Sequence, residues 1–233
     1  MNRPNFNFES ELWKSGLKFV GGCDEVGRGC FAGPVVASVV VFASDLRFKN
    51  NDSRIKINDS KQLTPKQREV ADIWIKENAI AYGIGEVSVI EINKLGIVKA
   101  TRIAMRKAVK ATKIKIDHLL IDAFYLPNAK GLSIKKQTAI IKGDTLSVSI
   151  AAASILAKVY RDNLMNEIGS LREYSAYNWH KNKGYGTLHH RKTILKLGIT
   201  KHHRTQFVST FLSKSYLLNL YEPEALQSRR PKS

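Results

Sequence analysis

Apolar residues come in unbroken runs near the start of the chain, at 19–23 and over the longer stretch 34–42 (PVVASVVVF), predicting a short strand and a longer buried one. Residues 79–89 (AIAYGIGEVSV) alternate and predict a third strand, and the runs 118–122 (HLLID) and 137–141 (QTAII) predict two more. Between them the period changes to that of a helix. Thr64 as N-cap, Pro65 in the first turn and Gln67 closing a capping box start a helix that should run to about Asn78, with Val70, Ile73 and Trp74 on its buried side. In residues 96–112, Ile97, Ala100, Ile103, Ala104 and Ala108 share one face, with Lys99, Arg102, Arg106, Lys107 and Lys110 as a solvated basic face opposite. Residues 147–168 predict a long helix with a small-residue face, and 187–197 a helix rich in His and Lys. Residues 1–16, polar with scattered Phe6, Phe8, Leu12 and Trp13, predict a loop and short helix packing on the body. Residues 43–59 are charged and irregular, and 222–233 read as a disordered basic tail.

Strands alternating with helices make the expected class α/β, and 233 residues suffice for one domain with a sizeable core. Charge then narrows the partner. Lys and Arg number 38 against 20 Asp and Glu, a net +18 that predicts a polyanion, with nucleic acid the first candidate. That charge serves a non-catalytic architectural binder as well as an enzyme. Cys23 and Cys30 are too few for a disulfide framework or a four-ligand zinc site and are expected as buried thiols. No signal peptide or long apolar span precedes them, so the expected compartment is the cytoplasm and no membrane contact is expected.

Residues 21–36 (GGCDEVGRGCFAGPVV) set two adjacent carboxylates, an arginine and five glycines between two apolar runs. Glycine lets backbone approach a ligand closely, and adjacent carboxylates at a strand end are tolerated when a cation sits between them. Hard oxygen ligands facing a phosphate substrate suggest Mg²⁺ or Mn²⁺. A solvated acidic turn is the plain alternative. A dinucleotide fingerprint is rejected, because Pro34 and a valine-rich strand follow where a helix should open. Asp122 ends a second strand, and Asp144 lies shortly past a third. Three apolar strands thus finish in Asp24-Glu25, Asp122 and Asp144, and in α/β sheets ligands bind at the carboxyl ends of strands. Taken alone, Asp144 also fits a helix N-cap, and Asp162 is explained by an i,i+4 ion pair with Lys158. In the last third, Tyr174, Tyr177, Trp179, His180, Lys181, Lys183 and Tyr185 interleave around Gly184 and Gly186, which suits stacking on sugars or bases beside phosphate contacts. The pairs His189-His190 and His202-His203, with no cysteine or carboxylate nearby, are expected as ordinary basic surface.

The segments 24–29 (DEVGRG), 58–63 (NDSKQL), 120–122 (LID), 142–144 (KGD), 149–159 (SIAAASILAKV) and 180–186 together resemble the type 2 ribonuclease H family, bacterial ribonuclease HII, in order from about Phe19 to Phe207. The resemblance implies a ribonuclease H-like fold, a central mixed β-sheet flanked by helices with a C-terminal helical segment. It divides the chain into an N-terminal extension (1–18), a catalytic domain (19–221) and the tail (222–233). The family's metal-binding carboxylates carry over onto Asp24, Glu25, Asp122 and Asp144, and its Gly-Arg-Gly element onto Gly27, Arg28 and Gly29, which recognise the ribonucleotide at an RNA-to-DNA junction. The family's junction-sensing tyrosine falls on Tyr185. Ser60, Lys61, Lys142, Lys181 and Lys183 are the expected substrate contacts.

The activity so implied is endonucleolytic hydrolysis of the RNA strand of RNA/DNA hybrids, and cutting at single ribonucleotides in duplex DNA, with two Mg²⁺ or Mn²⁺ ions. Products carry 3′-hydroxyl and 5′-phosphate ends, and the role is in replication and repair. A monomer is expected, with a sliding clamp as candidate partner. The sister ribonuclease HIII usually has Gly-Thr-Gly and an extra N-terminal sheet domain, neither of which matches here. Departures are Cys23 and Cys30 beside the turn and Ala123-Phe124-Tyr125 after Asp122. Two rivals remain open: a non-catalytic nucleic-acid binder, to which acids aimed at a phosphate would be a hindrance, and a nuclease or transposase of the same broad fold acting on all-DNA substrates.

Overall fold

The computed structural model describes residues 3–46 and 57–221, with side chains described as far as residue 213. The tail 222–233 and most of the irregular stretch 43–59 lie outside the described residues. Five strands form one mixed sheet in the order β3-β2-β1-β4-β5. β1 (Val20–Val26) and β2 (Val35–Val41) are antiparallel across the glycine turn, and β3 (Ala81–Val87) is antiparallel to β2. β4 (His118–Asp122) is parallel to β1, and β5 (Gln137–Ile140) is parallel to β4. The expected ribonuclease H-like α/β architecture is therefore present. One boundary is corrected: β1 does not stop at Cys23. Its pairing with β2 continues through Asp24 opposite Ser38 to Val26 opposite Val36, whereas its pairing with β4 ends at Cys23 opposite Ile121. The long partner β2 keeps β1 extended past the end of β4, so the carboxylates sit on a strand whose other edge has become free.

Helices cover both faces of the sheet, which is why β2 is a continuous apolar run buried at all 7 positions. α1 (Asn7–Lys14) packs under the sheet, and α2 (Pro65–Asn78) and α5 (Val148–Ser170) lie on that face, where Ala71, Ile75, Ala152, Ile155 and Leu156 meet Val40 and Phe42. α3 (Val89–Leu95) and α4 (Ile97–Ala111) cover the other face, with Ala104, Met105 and Ala108 against Val39, Leu119 and Ile121. Each fully buried Ile or Leu contributes about 1.5–3 kcal/mol. Small residues let α5 come down onto β1: a Cβ on Gly22 would stand 2.1 Å from the Ser149 carbonyl carbon. That contact fixes how far α5 stands from the carboxylates.

α2 has the expected capping box, with Thr64 N–H donating to Gln67 Oε1 at 2.9 Å and Gln67 N–H to Thr64 Oγ1 at 3.3 Å. Its buried side is not the expected one. Val70 and Ile73 are exposed, Trp74 is half-buried against Phe42, and Ala71 and Ile75 face the core. α2 touches the body along a narrow i,i+4 stripe, so the bulkier apolar residues one position away remain outside. α5 is capped by Ser147, which accepts from Ile150 N–H at 3.2 Å, and Asp144 is left out of that role. α1 supplies a contact that its polar sequence does not advertise: buried Glu9 accepts from Ser147 Oγ at 2.6 Å and Ser149 N–H at 2.9 Å. A carboxylate there complements the positive end of α5.

The C-terminal segment contains α6 (Trp179–Asn182), α7 (Leu188–Leu197) and α8 (Thr205–Tyr221). Three of its four aromatic residues from Tyr174 to Tyr185 are corrected from surface to core. Tyr174, Tyr177 and Trp179 are buried with Met165, Ile194 and Val208, because the 3-10 turns of Arg172–Tyr177 fold them inward. One histidine of each pair is corrected too, since His190 and His203 are buried against Trp179 and each other, while His189 is exposed as expected and His202 is half-buried. Burial, then the neighbouring His190, push the His203 imidazole down to about 4. The unfolded chain would take up that proton near pH 6.5, so this contribution to stability is complete above about 6.5 and is lost as pH falls toward 4. The urea midpoint should decline over that window. A His203→Gln protein should show a flatter decline there, and an equal slope in both proteins would contradict the assignment.

Candidate active site

β1, β4 and β5 run parallel, so their carboxyl ends open on the same side, and the ends of β1 and β4 and the turn after β5 each bring an acid there. Asp24 is buried on β1, accepting Glu25 N–H at 2.7 Å and a hydrogen bond from Ser154 on α5. Ser154 Oγ is itself 3.0 Å from Ser60 Oγ. Burial, then the charges of Glu25 and Asp122, hold the Asp24 carboxyl well above the usual carboxylate range. Burial also raises Glu25, opposed by Arg28, whose Nη1 donates to Glu25 Oε1 at 3.0 Å. Glu25 Oε2 is buried and has no hydrogen-bond partner. Asp122, at the end of β4, is raised by burial and by Asp144, while Gly143 N–H donating to its Oδ1 at 2.8 Å pulls the other way. That bond ties the end of β4 to the turn after β5. Asp144, buried in the turn Gly143–Thr145, lies 3.5 Å from Lys61 Nζ.

Asp24, Glu25 and Asp122 line a cleft of about 730 Å³, together with Gly27, Arg28, Ser60, Lys61, Ser154 and Tyr185. Asp144 is reached through Lys61 rather than lining the wall. Among the described residues no three His, Cys, Asp or Glu side chains stand close enough together to hold a metal ion by themselves. The acids sit within reach of one another's charge, with Arg28 and Lys61 as their counter-ions. This set fits hard divalent cations on two grounds. Every acidic donor is a carboxylate oxygen, and Mg²⁺ typically takes a few carboxylates and keeps several waters instead of occupying an all-protein cage. The unpartnered Glu25 Oε2 and the like-charge strain on Asp24 are what a cation there would relieve.

The other expected residues divide between cleft and periphery. Gly27 has φ +88°, and a Cβ on it would stand 2.3 Å from Arg161 Nε, so the turn requires glycine. Gly29 is exposed, with open space where a Cβ would point. The Arg28 guanidinium stacks 5.4 Å from the Phe124 ring centroid, giving one of the unusual residues after Asp122 a supporting role. Tyr185 is part-exposed at the cleft's edge with Lys158 Nζ 5.8 Å from its ring centroid. Ser60 turns its hydroxyl inward to Ser154, which suits orienting that network better than reaching a phosphate. Lys181 and Lys183 line a second groove continuous with the first past Arg68, Lys158 and Tyr185, while Lys142 is exposed on the turn before Gly143 and lines neither. Asp162 pairs with Lys158 at 2.8 Å, as expected of a structural acid.

Four contributors were not singled out from the sequence. Ser154 and Lys158 lie 4 residues apart on α5 and face the cleft, a spacing that helical periodicity makes visible. Arg161 and Arg204 are fully buried and hold the turn from behind. Arg161 donates to the carbonyls of Ala32 (3.0 Å), Pro34 (2.9 Å) and Lys183 (2.8 Å), and Arg204 to those of Arg28 (2.9 Å), Gly33 (2.9 Å) and Pro34 (3.0 Å). Nothing local distinguishes them from surface arginines.

The family model described as Ribonuclease HII matches residues 21–210. Ribonuclease HII of Clostridioides difficile (strain 630) is 46% identical over 205 residues, 88% of this chain and 76% of that protein. Two solved structures share the fold. A PCNA:RNase HII complex from Archaeoglobus fulgidus aligns with TM-score 0.62 and 20% identity, over 81% of this chain and 94% of that one. Bst-RNase HIII in complex with Mn²⁺ aligns with TM-score 0.59 and 17% identity, over 85% and 70%.

Proposed function

The chain belongs to the ribonuclease HII family, an endoribonuclease acting on RNA/DNA hybrids with divalent metal, and from that premise we propose that it also cuts at single ribonucleotides embedded in duplex DNA. The observation that carries the reading is the convergence of acids at the carboxyl ends of three parallel strands: Asp24, Glu25 and Asp122 line a cleft edged by cations and an aromatic ring, and Asp144 stands behind Lys61 within reach of Asp122's charge. Asp24, Glu25, Asp122 and Asp144 are the residues that would hold Mg²⁺ or Mn²⁺ ions, a pair of them in this reading, with Asp24 the most enclosed of the acids that line the cleft. Bound there, the ions supply a more acidic attacking water and charge stabilisation at the leaving oxygen. The remaining steps belong to the protein. Arg28 and Lys61 neutralise the approaching phosphate, and the turn's backbone is offered to the 2′-hydroxyl at exposed Gly29, while the missing Cβ of Gly27 makes room for Arg161 behind the turn. Tyr185 lies against the neighbouring sugar, and Lys181 and Lys183 in the second groove carry the backbone onward. Cleavage leaves a 3′-hydroxyl and a 5′-phosphate.

A non-catalytic binder has no use for buried acids facing its ligand, since they repel phosphate. The test is cleavage-site mapping on a duplex with one embedded ribonucleotide, beside a matched all-DNA duplex. Cutting next to the ribose alone is the expected result, and cutting of both duplexes would favour a general nuclease. Tyr185→Ala should reduce cutting at the single ribonucleotide by about tenfold or more while changing affinity little, as expected for a group that positions the reacting centre. Equal losses in rate and affinity would count against that role. We further propose a cytoplasmic monomer that meets a sliding clamp. The clamp contact draws on the archaeal PCNA complex, and among the described residues no helix is long and apolar enough to cross a membrane.

A further inference from the structure

His190 and His203 are buried, titratable and unused by the chemistry above, yet one of them holds the backbone of Tyr185. His190 Nδ1 lies 2.9 Å from the Tyr185 carbonyl oxygen. A carbonyl only accepts, so that nitrogen carries the proton and Nε2 is the lone-pair side. Trp179 Nε1–H donates to His190 Nε2 at 3.1 Å, and His203 Nε2 lies 3.1 Å from the same atom. His203 Nδ1 accepts from Thr200 N–H at 2.8 Å, which puts its proton on Nε2, directed at His190. One arrangement of protons gives every N–H here an acceptor, with Trp179 and His203 sharing the one lone pair of His190 Nε2: Thr200 orients His203, His203 and Trp179 orient His190, and His190 donates to Tyr185.

The recipient of that donation is a segment gripped at three successive carbonyls. Lys183 O accepts from Arg161, Gly184 O accepts from Phe31 and Ala32 N–H at 2.8 and 3.1 Å, and Tyr185 O accepts from His190 and from Thr187 N–H at 2.8 Å. The first two grips attach the segment to the glycine turn. The third sets the peptide plane from which the Tyr185 ring projects to the cleft's edge.

We propose that His190, oriented by His203 and Trp179, is a positioning residue that fixes Tyr185 for ribose selection. The inference rests on Tyr185 being the junction-sensing residue of the proposed function. It predicts an effect on selectivity, where a packing role alone would change stability and all substrates together.

The test compares His190→Leu with His190→Asn in the full chain. Asn carries an N–H close to where the imidazole Nδ1–H stands and lacks the distal nitrogen. The readout is the ratio of kcat/KM on a duplex with one ribonucleotide to kcat/KM on a continuous RNA/DNA hybrid, at matched folded fraction. His190→Leu should lower that ratio by about tenfold or more, and His190→Asn should recover most of it although both lose stability. An unchanged ratio in His190→Leu, or an Asn variant no better than Leu, overturns the proposal. If the wild-type chain itself fails to cut at the embedded ribose, the functional reading fails separately. Side-chain ¹H–¹⁵N correlation spectra of the wild-type protein then still decide the geometry. The proposal requires the Nδ1–H tautomer at His190 and the Nε2–H tautomer at His203, and the reverse assignment sinks it.

Discussion

Asp24→Asn is expected to lose cleavage by about a thousandfold or more, corresponding to roughly 4 kcal/mol of lost transition-state stabilisation. It should bind a ribonucleotide-containing duplex as tightly as the wild type or more tightly. The two effects share one origin. Asp24 is the most enclosed of the cleft's acids, raised by burial and by the charges of Glu25 and Asp122, so a neutral amide removes repulsion toward phosphate while removing an oxygen that the proposed metal site would use. Mg²⁺ or Mn²⁺ should raise the melting temperature of the wild type, because a ligand bound only to the folded state stabilises it. The same addition should do little to Asp24→Asn. An Asn variant that still cuts within tenfold of wild type would remove the acid from the chemistry.

The largest expected stability loss is at Arg161→Met. Met keeps much of the buried stem, but the guanidinium serves the carbonyls of Ala32, Pro34 and Lys183. Pro34 O retains Arg204 as a donor, so the buried Ala32 carbonyl and the part-buried Lys183 carbonyl lose their arginine. The buried one costs about 1–3 kcal/mol when left unsatisfied and the other less, giving roughly 2–4 kcal/mol. Against a typical total of about 5–15 kcal/mol that is a large share. Chemical denaturation should show it, and a loss below 1 kcal/mol would mean that water replaces the guanidinium. Gly27 and Gly33 both close on Arg161, so their turn should loosen before the sheet does.

The strands were legible because β2, β4 and β5 are apolar runs that end abruptly, and the α2 start was legible because Thr64, Pro65 and Gln67 act locally. The convergence of acids could be read for the same reason: parallel strands bring their ends to one side whatever loops intervene. What could not be read was set by distant partners. β1 extends to Val26 because β2 continues beside it, which no window around Cys23 reveals. Tyr177, Trp179, His190 and His203 look like a wet basic surface until the turn of Arg172–Tyr177 folds them together. Of the six hydrogen bonds to carbonyls that hold Arg161 and Arg204, five reach more than 120 positions away in the chain, without a carboxylate to flag them.

Glu9 gives the first helix a reach beyond its own surroundings. Its carboxylate fastens Ser147 and Ser149, directly downstream of the turn that carries Asp144. Shortening the chain at its amino end would therefore not trim an idle appendage. It would leave the start of α5 without its anionic anchor and let one wall of the catalytic basin drift, so that a truncated enzyme weakens in its grip on cations while its sheet remains whole.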